Sequence, residues 1–338
     1  MKIGFVGNLY GTPKGHSYAV QDMLQAFLEG GHEAHMFRIG DNPILQEFIE
    51  PTSLVTCPER VIPKEQFEEW LDKIQPDWCI FTEYMQWWDE DHDKVLICKE
   101  RGIKTAGFHV HEKLDWTKIS HYKNYTKIIC PTDFQLKLFR KKGLYQAVYT
   151  PWGTDIQLID NIEEPTRDGK VRFFHCAGSG GVGNRKNTDA VVKAYNLIKD
   201  SNTELIITHL NSKVFSKDEI IAFTKYADVL INTAKWDTIG LNSIEANACG
   251  RPAIVCNAPP MNELVQDRKN GLLVDCVEAK YDMVTCPAWE VDVTDLAKKM
   301  SILKNRLVLE ALQNCSRQYA LEKYDWSKNK EQFLRVFE

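Results

Sequence analysis

Short apolar runs alternate with stretches of helical periodicity along the whole chain, and no other feature restricts the possible folds as much. An apolar run, an amphipathic helix and a second apolar run make a βαβ unit, which closes only as a parallel sheet covered by helices. In the first half the runs fall at 3–6, 34–37, 78–81, 105–108, 128–130 and 147–149. Between the first two, Ala19, Val20, Met23, Leu24 and Phe27 share one face and predict a helix over 17–28 that stops at Gly30-Gly31. The second half repeats the plan, with runs at 171–176, 205–208, 229–231, 253–255 and 272–274 and helices over 187–199 and 242–248. The stretch 160–170 is polar, aperiodic and carries Pro and Gly, which predicts the linker there. At 338 residues the chain is about twice the usual size of one domain. The expected fold is therefore α/β, two Rossmann-like domains facing a cleft, 1–158 and 159–338. The last helix, 326–338, carries a stripe of Trp326, Phe333, Leu334 and Phe337 with which to cross back onto the N-terminal domain.

Lys plus Arg is 42 and Asp plus Glu 47, a net charge of −5, which argues against general affinity for nucleic acid or anionic membrane. The ten cysteines lie far apart with no C-x-x-C pair, so free thiols in a reducing cytoplasm are expected. The opening residues predict a first strand rather than a leader peptide, and no window approaches the ~20 apolar residues of a membrane span. A cytoplasmic protein is expected on these features.

Three segments could carry chemistry. After the first strand, Gly11 and Gly15 belong to a glycine-spaced turn that leads into a helix; such turns let backbone approach a phosphate, and plain surface loops share the pattern. At 178–183 a formal G-x-G-x-x-G follows a strand, the pattern of a dinucleotide site. The next strand, 204–209, ends without the acidic residue that would grip a ribose, which weakens a nicotinamide-dependent dehydrogenase. Instead Arg185 and Lys186 follow the glycines at a helix start, two cations suited to a diphosphate. The third segment places Asp237 in a loop and Glu245, eight positions on, in the second turn of the following helix, where a ligand along the helix start could meet both.

The stretch Asp237-x7-Glu245-Ala246-Asn247-Ala248-Cys249-Gly250-Arg251-Pro252, continued by Glu263 and Asn270-Gly271, resembles the donor-site signature of the GT-B glycosyltransferases, in particular the retaining family-4 type. Gly30-Gly31-His32-Glu33, Pro151-Trp152-Gly153-Thr154-Asp155 and Arg185-Lys186-Asn187 match the same family in order, so the resemblance spans almost the whole chain. It implies transfer of a sugar from a nucleotide-diphosphate sugar, a UDP-sugar foremost, to an acceptor hydroxyl with retention of configuration. Arg185 and Lys186, with Gly11 and Gly15, would hold the diphosphate and Glu245 the ribose. The backbone of Thr238, Ile239, Gly240, Leu241 and Asn242 would face sugar and phosphate. His109, with His111 close behind, would stand where the family presents a histidine to the transferred sugar, and Asp237 would act at the anomeric centre.

Two departures matter: Asp237 stands where the family usually has Glu, and Ser179 near where many members have Arg. A nucleotide-sugar epimerase or a non-catalytic sugar-nucleotide binding protein of the same fold would share the diphosphate site. No cofactor and no metal are expected, since Asp89-Glu90-Asp91 lies in a polar segment and reads as solvated surface. A glycan, a lipid-linked sugar, a protein side chain and a hydroxylated DNA base are all open as acceptors. Lys137, Arg140, Lys141 and Lys142 form a basic cluster able to touch an anionic membrane or a nucleic acid, although a solvated helix face carries the same pattern. Trp87, Trp88 and Trp116 are candidates to stack on a sugar or base.

Overall fold

The computed structural model describes residues 1–7, 15–40, 48–59, 61–82, 92–178, 184–209, 215–282 and 284–338. The chain divides into two compact units, Met1–Thr150 with Lys330–Glu338, and Pro151–Asn329. The division thus falls at Thr150/Pro151, ahead of the expected 158/159.

The first unit is built on seven strands, β1 (Lys2–Gly7), β2 (Glu33–Ile39), β3 (Ser53–Cys57), β4 (Trp78–Thr82), β5 (Lys104–Phe108), β6 (Lys127–Cys130) and β7 (Ala147–Tyr149). All pairings are parallel and the order is β3-β2-β1-β4-β5-β6-β7. The central strand β4 is buried throughout because helices cover both faces, which is why such strands read as unbroken apolar runs. Helix Gly15–Glu29 turns Ala19, Val20, Met23, Leu24 and Phe27 inward, the face its periodicity predicts. The order of the strands reverses between β1 and β4, the switch point where doubly wound sheets take ligands. The segments leaving those two strands, 8–14 and 83–91, lie outside the described residues, and with them Gly11, Trp87, Trp88 and the Asp89-Glu90-Asp91 run.

Residues 330–338 belong to this unit because their aromatic side chains complete its core. Phe337 packs edge-on against Phe27 and Trp78 at 5.0 and 5.1 Å between ring centroids, and its carbonyl accepts the Trp78 indole N–H at 3.0 Å. Phe333 meets Phe27 at 5.5 Å, and both tail phenylalanines are fully buried. Truncating such a ring leaves a cavity costing about 3–5 kcal/mol. Phe337→Ala is therefore expected to lower the unfolding free energy of the first unit by about 3–5 kcal/mol, read as a lower denaturant midpoint, while an unchanged midpoint would show the tail to be dispensable.

The second unit carries β8 (Val171–Gly178), β9 (Thr203–His209), β10 (Val229–Asn232), β11 (Ala253–Cys256) and β12 (Gly271–Val274) in the parallel order β12-β11-β10-β8-β9. A two-stranded antiparallel hairpin, β13 (Cys276–Ala279) and β14 (Ala288–Val291), follows. Counted from its own first strand, this sheet has the 2-1-3-4-5 doubly wound order, whose switch point lies between β8 and β10. Two motifs matched at the sequence level are structural here. Thr154 donates its amide to the Tyr324 carbonyl at 2.8 Å and accepts from the Trp326 amide at 3.1 Å. Between them Gly153 sits so close that an added Cβ would lie 2.6 Å from the Tyr324 oxygen, which leaves room for glycine only. Asn270 lies buried beneath the helix Leu241–Ala248, accepting the Gln266 amide at 2.7 Å and donating to the Leu264 carbonyl at 3.1 Å.

The stretch 160–170 is not the linker its polarity predicts, for it lies wholly within the second unit. Glu164 pairs with the buried Arg251 at 2.7 Å, and Arg167 with the fully buried Asp228 at 2.9 Å. Buried charges need partners, and this segment supplies them. All ten cysteines are free. Among the described residues no helix is long and apolar enough to cross a membrane.

Candidate functional site

Two segments leave the carboxyl ends of β8 and β10 at the switch point of the second sheet. The first contains the glycine run, of which 179–183 lies outside the described residues, and then turns through Asn184 and Asn187. Both asparagines hold left-handed backbone, with φ of 53° and 59°, a conformation Asn tolerates better than most side chains. The Asn187 amide donates to the Asn184 carbonyl at 2.8 Å, and Asn184 Oδ1 accepts the Thr188 amide at 3.0 Å. This tight turn presents Arg185 and Lys186 side by side ahead of the helix Thr188–Ile198.

The second segment brings Asp237 to them. Its Oδ2 accepts from Lys186 Nζ at 2.7 Å and from Arg185 Nη1 at 3.3 Å, and the same guanidinium nitrogen reaches the Trp236 carbonyl at 3.3 Å. Its Oδ1 accepts the Thr238 amide at 2.9 Å and the Gly240 amide at 3.4 Å. Burial, the largest single influence, pushes the Asp237 carboxyl upward. The Lys186 and Arg185 charges, with the bonds from Lys186 and the Gly240 amide, outweigh it and hold the group well below the ordinary carboxylate range. Two of the five amides expected to face the ligand are therefore occupied by Asp237 itself.

Helix Leu241–Ala248 starts at Gly240, whose φ is 72°, and is buried from Ser243 onward. Glu245 lies in its second turn, 8% exposed, and Ser243 is fixed by the Asn232 side-chain amide at 2.9 Å. Thr238 and Ile239 are buried, Leu241 and Asn242 half-buried.

A neighbouring cluster that spacing does not reveal braces both segments. The Lys235 amide donates to the Arg185 carbonyl at 2.8 Å, and its carbonyl accepts the Trp289 amide of β14 at 2.9 Å. Lys235 Nζ pairs with Glu290 at 2.6 Å and donates to the Tyr281 hydroxyl at 2.7 Å, while Tyr281 also bonds Glu290 and packs on Trp236. Burial works against the Lys235 charge, but its bonds to Glu290 and Tyr281 prevail and push its pKa up. The hairpin strands are only four residues long and each is broken by a glutamate, so nothing in the sequence marks the hairpin as a brace.

The remaining expected residues lie in the first unit. His109, just past β5, is 1% exposed; its ring lies over Gly107 and meets Tyr125 and Tyr122 edge-on at 5.2 and 5.7 Å. Its carbonyl accepts the buried Gln135 amide at 2.7 Å. His111 is equally buried, 3.9 Å from Glu112 and edge-on to Phe134. Gly15 opens the helix Gly15–Glu29 and is exposed. On helix Asp133–Lys141, Lys137 pairs with Asp133 and Arg140 reaches the Ala147 carbonyl at 3.4 Å, while Lys142 at the helix end lies 5.2 Å over the Trp116 ring. This is the packing of a solvated helix face. Trp116 itself packs on the core residue Phe139. A cavity of about 680 Å³ opens at the amino ends of β1, β4 and β5 beside Met1, Trp78, Lys104 and Phe337. Ligands of such sheets bind at the opposite, carboxyl ends.

Comparison with known proteins bears directly on the second unit. Residues 193–281 match the family model described as glycosyl transferases group 1. The chain is 21% identical, over 78% of its length and 82% of the relative's, to the GDP-mannose-dependent alpha-(1-6)-phosphatidylinositol dimannoside mannosyltransferase of Mycobacterium tuberculosis. Among solved structures, sucrose-phosphate synthase of Thermosynechococcus elongatus superposes with a TM-score of 0.77 at 15% identity, covering 100% of this chain and 98% of that one. The HepE protein of Anabaena, solved in complex with UDP-glucose, superposes with a TM-score of 0.72 at 13% identity over 99% of each chain. The two parallel-sheet domains are those of the GT-B fold. The family match lies over the segment that carries Asp237 and Glu245, so the second unit holds the region that the group 1 glycosyl transferase model describes, in a chain of GT-B fold.

Proposed function

We propose that this glycosyltransferase takes its sugar from a nucleotide-diphosphate sugar, a UDP-sugar foremost, and passes it to an acceptor hydroxyl with retention of configuration and without a metal ion. The convergence of Arg185 and Lys186 at the switch point of the second sheet carries the reading. Breaking the bond between the anomeric carbon and the diphosphate leaves negative charge on the departing oxygen. Two cations beside a helix start are the groups that stabilise such charge. Arg185 and Lys186 take the diphosphate in this scheme, and Glu245, buried one turn into helix Leu241–Ala248, takes the ribose hydroxyls. The amides of Ile239, Leu241 and Asn242 face sugar and phosphate. The diphosphate receives the acceptor's proton as the new glycosidic bond forms. His109 and His111 are assigned to the sugar on the family resemblance alone.

A thermal-shift screen over UDP-, GDP- and ADP-sugars tests the donor class. GDP is included because one relative is named for GDP-mannose. A ligand at 100 times its Kd adds about 2.7 kcal/mol. For a unit of this size that is a rise of about 5 °C or more in the transition of the second unit. Stabilisation by at least one nucleotide sugar is expected, and no response to any of them would count decisively against the proposal.

A further inference from the structure

The signature position of Asp237 implies a contact with the transferred sugar, yet its surroundings describe a different task. Both carboxylate oxygens are engaged within the protein, Oδ2 by Lys186 and Arg185 and Oδ1 by the amides of Thr238 and Gly240. The side chain is short and 17% exposed, and its amide bonds tie it to its own loop. Lys186 is 12% exposed, so its ammonium group has little solvent to turn to.

We propose that Asp237 is a resident counter-ion of the diphosphate site, a positioning residue that aims Lys186 and Arg185 and sets how tightly they hold a diphosphate by competing with it. The inference rests on the reading of those two cations as the diphosphate site. A carboxylate 2.7 Å from the ammonium group occupies the place a phosphoryl oxygen would take. An arriving diphosphate must share the cations with a fixed negative charge, which weakens its binding. The same competition helps the nucleoside diphosphate leave after transfer. Glutamate would carry its charge one methylene further from the loop; aspartate keeps it on the cations.

The test is calorimetric titration of the full-length chain with inorganic pyrophosphate, UDP and GDP, since none of these carries a sugar. Asp237→Asn keeps an oxygen for the Thr238 and Gly240 amides and removes the charge. It is expected to bind pyrophosphate about tenfold more tightly, with a steeper loss of affinity as salt rises. In turnover, donor KM and kcat should fall together, as expected when product release becomes slower. A sugar-contacting Asp237 would instead leave pyrophosphate affinity unchanged and raise donor KM or lower kcat alone, and that result overturns the inference. Should Asp237→Asn lose its cooperative melt, Asp237→Ser, which retains a short acceptor, is read in the same way. Pyrophosphate affinity that is lost in Arg185→Ala with Lys186→Ala but unchanged in Asp237→Asn sinks the counter-ion role alone. Affinity unchanged in the double variant brings down the diphosphate site and this inference with it.

Discussion

Alanine at both Arg185 and Lys186 is expected to lower kcat/KM for the nucleotide-sugar donor by about 10³-fold or more and to abolish the thermal shift caused by the donor. Charge-assisted hydrogen bonds contribute about 1.5–3 kcal/mol each to binding, and loss of one preorganised group that stabilises developing negative charge costs about 10²–10³ in rate. Both losses fall on the same departing diphosphate. The double variant also leaves Asp237 largely buried with its amide bonds but without the charges that hold it ionised. Its carboxyl should therefore rise in pKa. Stability at neutral pH should fall, because a group whose folded pKa is depressed contributes stability above its unfolded pKa, and the depression is what the variant removes. Steady-state kinetics with varied donor, read beside a melting curve, separates the two effects. Retention of more than a tenth of kcat/KM would remove Arg185 and Lys186 from the diphosphate site.

Gly240→Ala is expected to destabilise the second unit strongly. With φ at 72° the residue occupies left-handed backbone, which costs an L side chain about 1–2 kcal/mol. The added Cβ would also fall 2.5 Å from Leu264 Cδ1 and 2.8 Å from Met261 Cε, both on buried side chains of the short helix Met261–Leu264. Overpacking of that kind adds about 1–3 kcal/mol. Together they predict a loss of about 2–5 kcal/mol in the denaturant unfolding of this unit. Gly250→Ala is the control: its φ of 68° carries the same backbone strain, but its nearest neighbour, Arg317 Cβ, would be at an ordinary 3.6 Å. Equal losses in the two variants would show that strain alone decides. The Gly240 variant should also weaken donor binding, since the Gly240 amide anchors Asp237 and the helix carrying Glu245 starts there.

Strands buried on both faces are legible in this chain because burial favours runs of apolar side chains, and β1, β4, β10 and β11 announce themselves in that way. The edge strand β3 is not, since its residues alternate between partial burial and exposure, with Leu54 41% exposed. The hairpin of β13 and β14 has four-residue strands in which a glutamate breaks each apolar run, so it too goes unannounced. The segment 160–170 misleads in the opposite direction. Its charges resemble those of a solvated linker, yet they partner Arg251 and Asp228, residues that are themselves buried and distant in sequence.

At the site, residue types and spacing were enough to single out Arg185, Lys186, Asp237 and Glu245. Sequence alone determined the two α/β halves and the positions of these four side chains relative to strand ends and helix starts, because the periods of strand and helix and the chemistry of glycine and asparagine turns act over a few residues. Only the tertiary structure decided that Asp237 closes on both cations across 51 and 52 residues, that Glu290 of the hairpin braces them through Lys235, and that the last nine residues complete the first core. Those contacts depend on strand order and on which loops a parallel sheet brings together at one edge, and a pattern read along the chain carries no record of either.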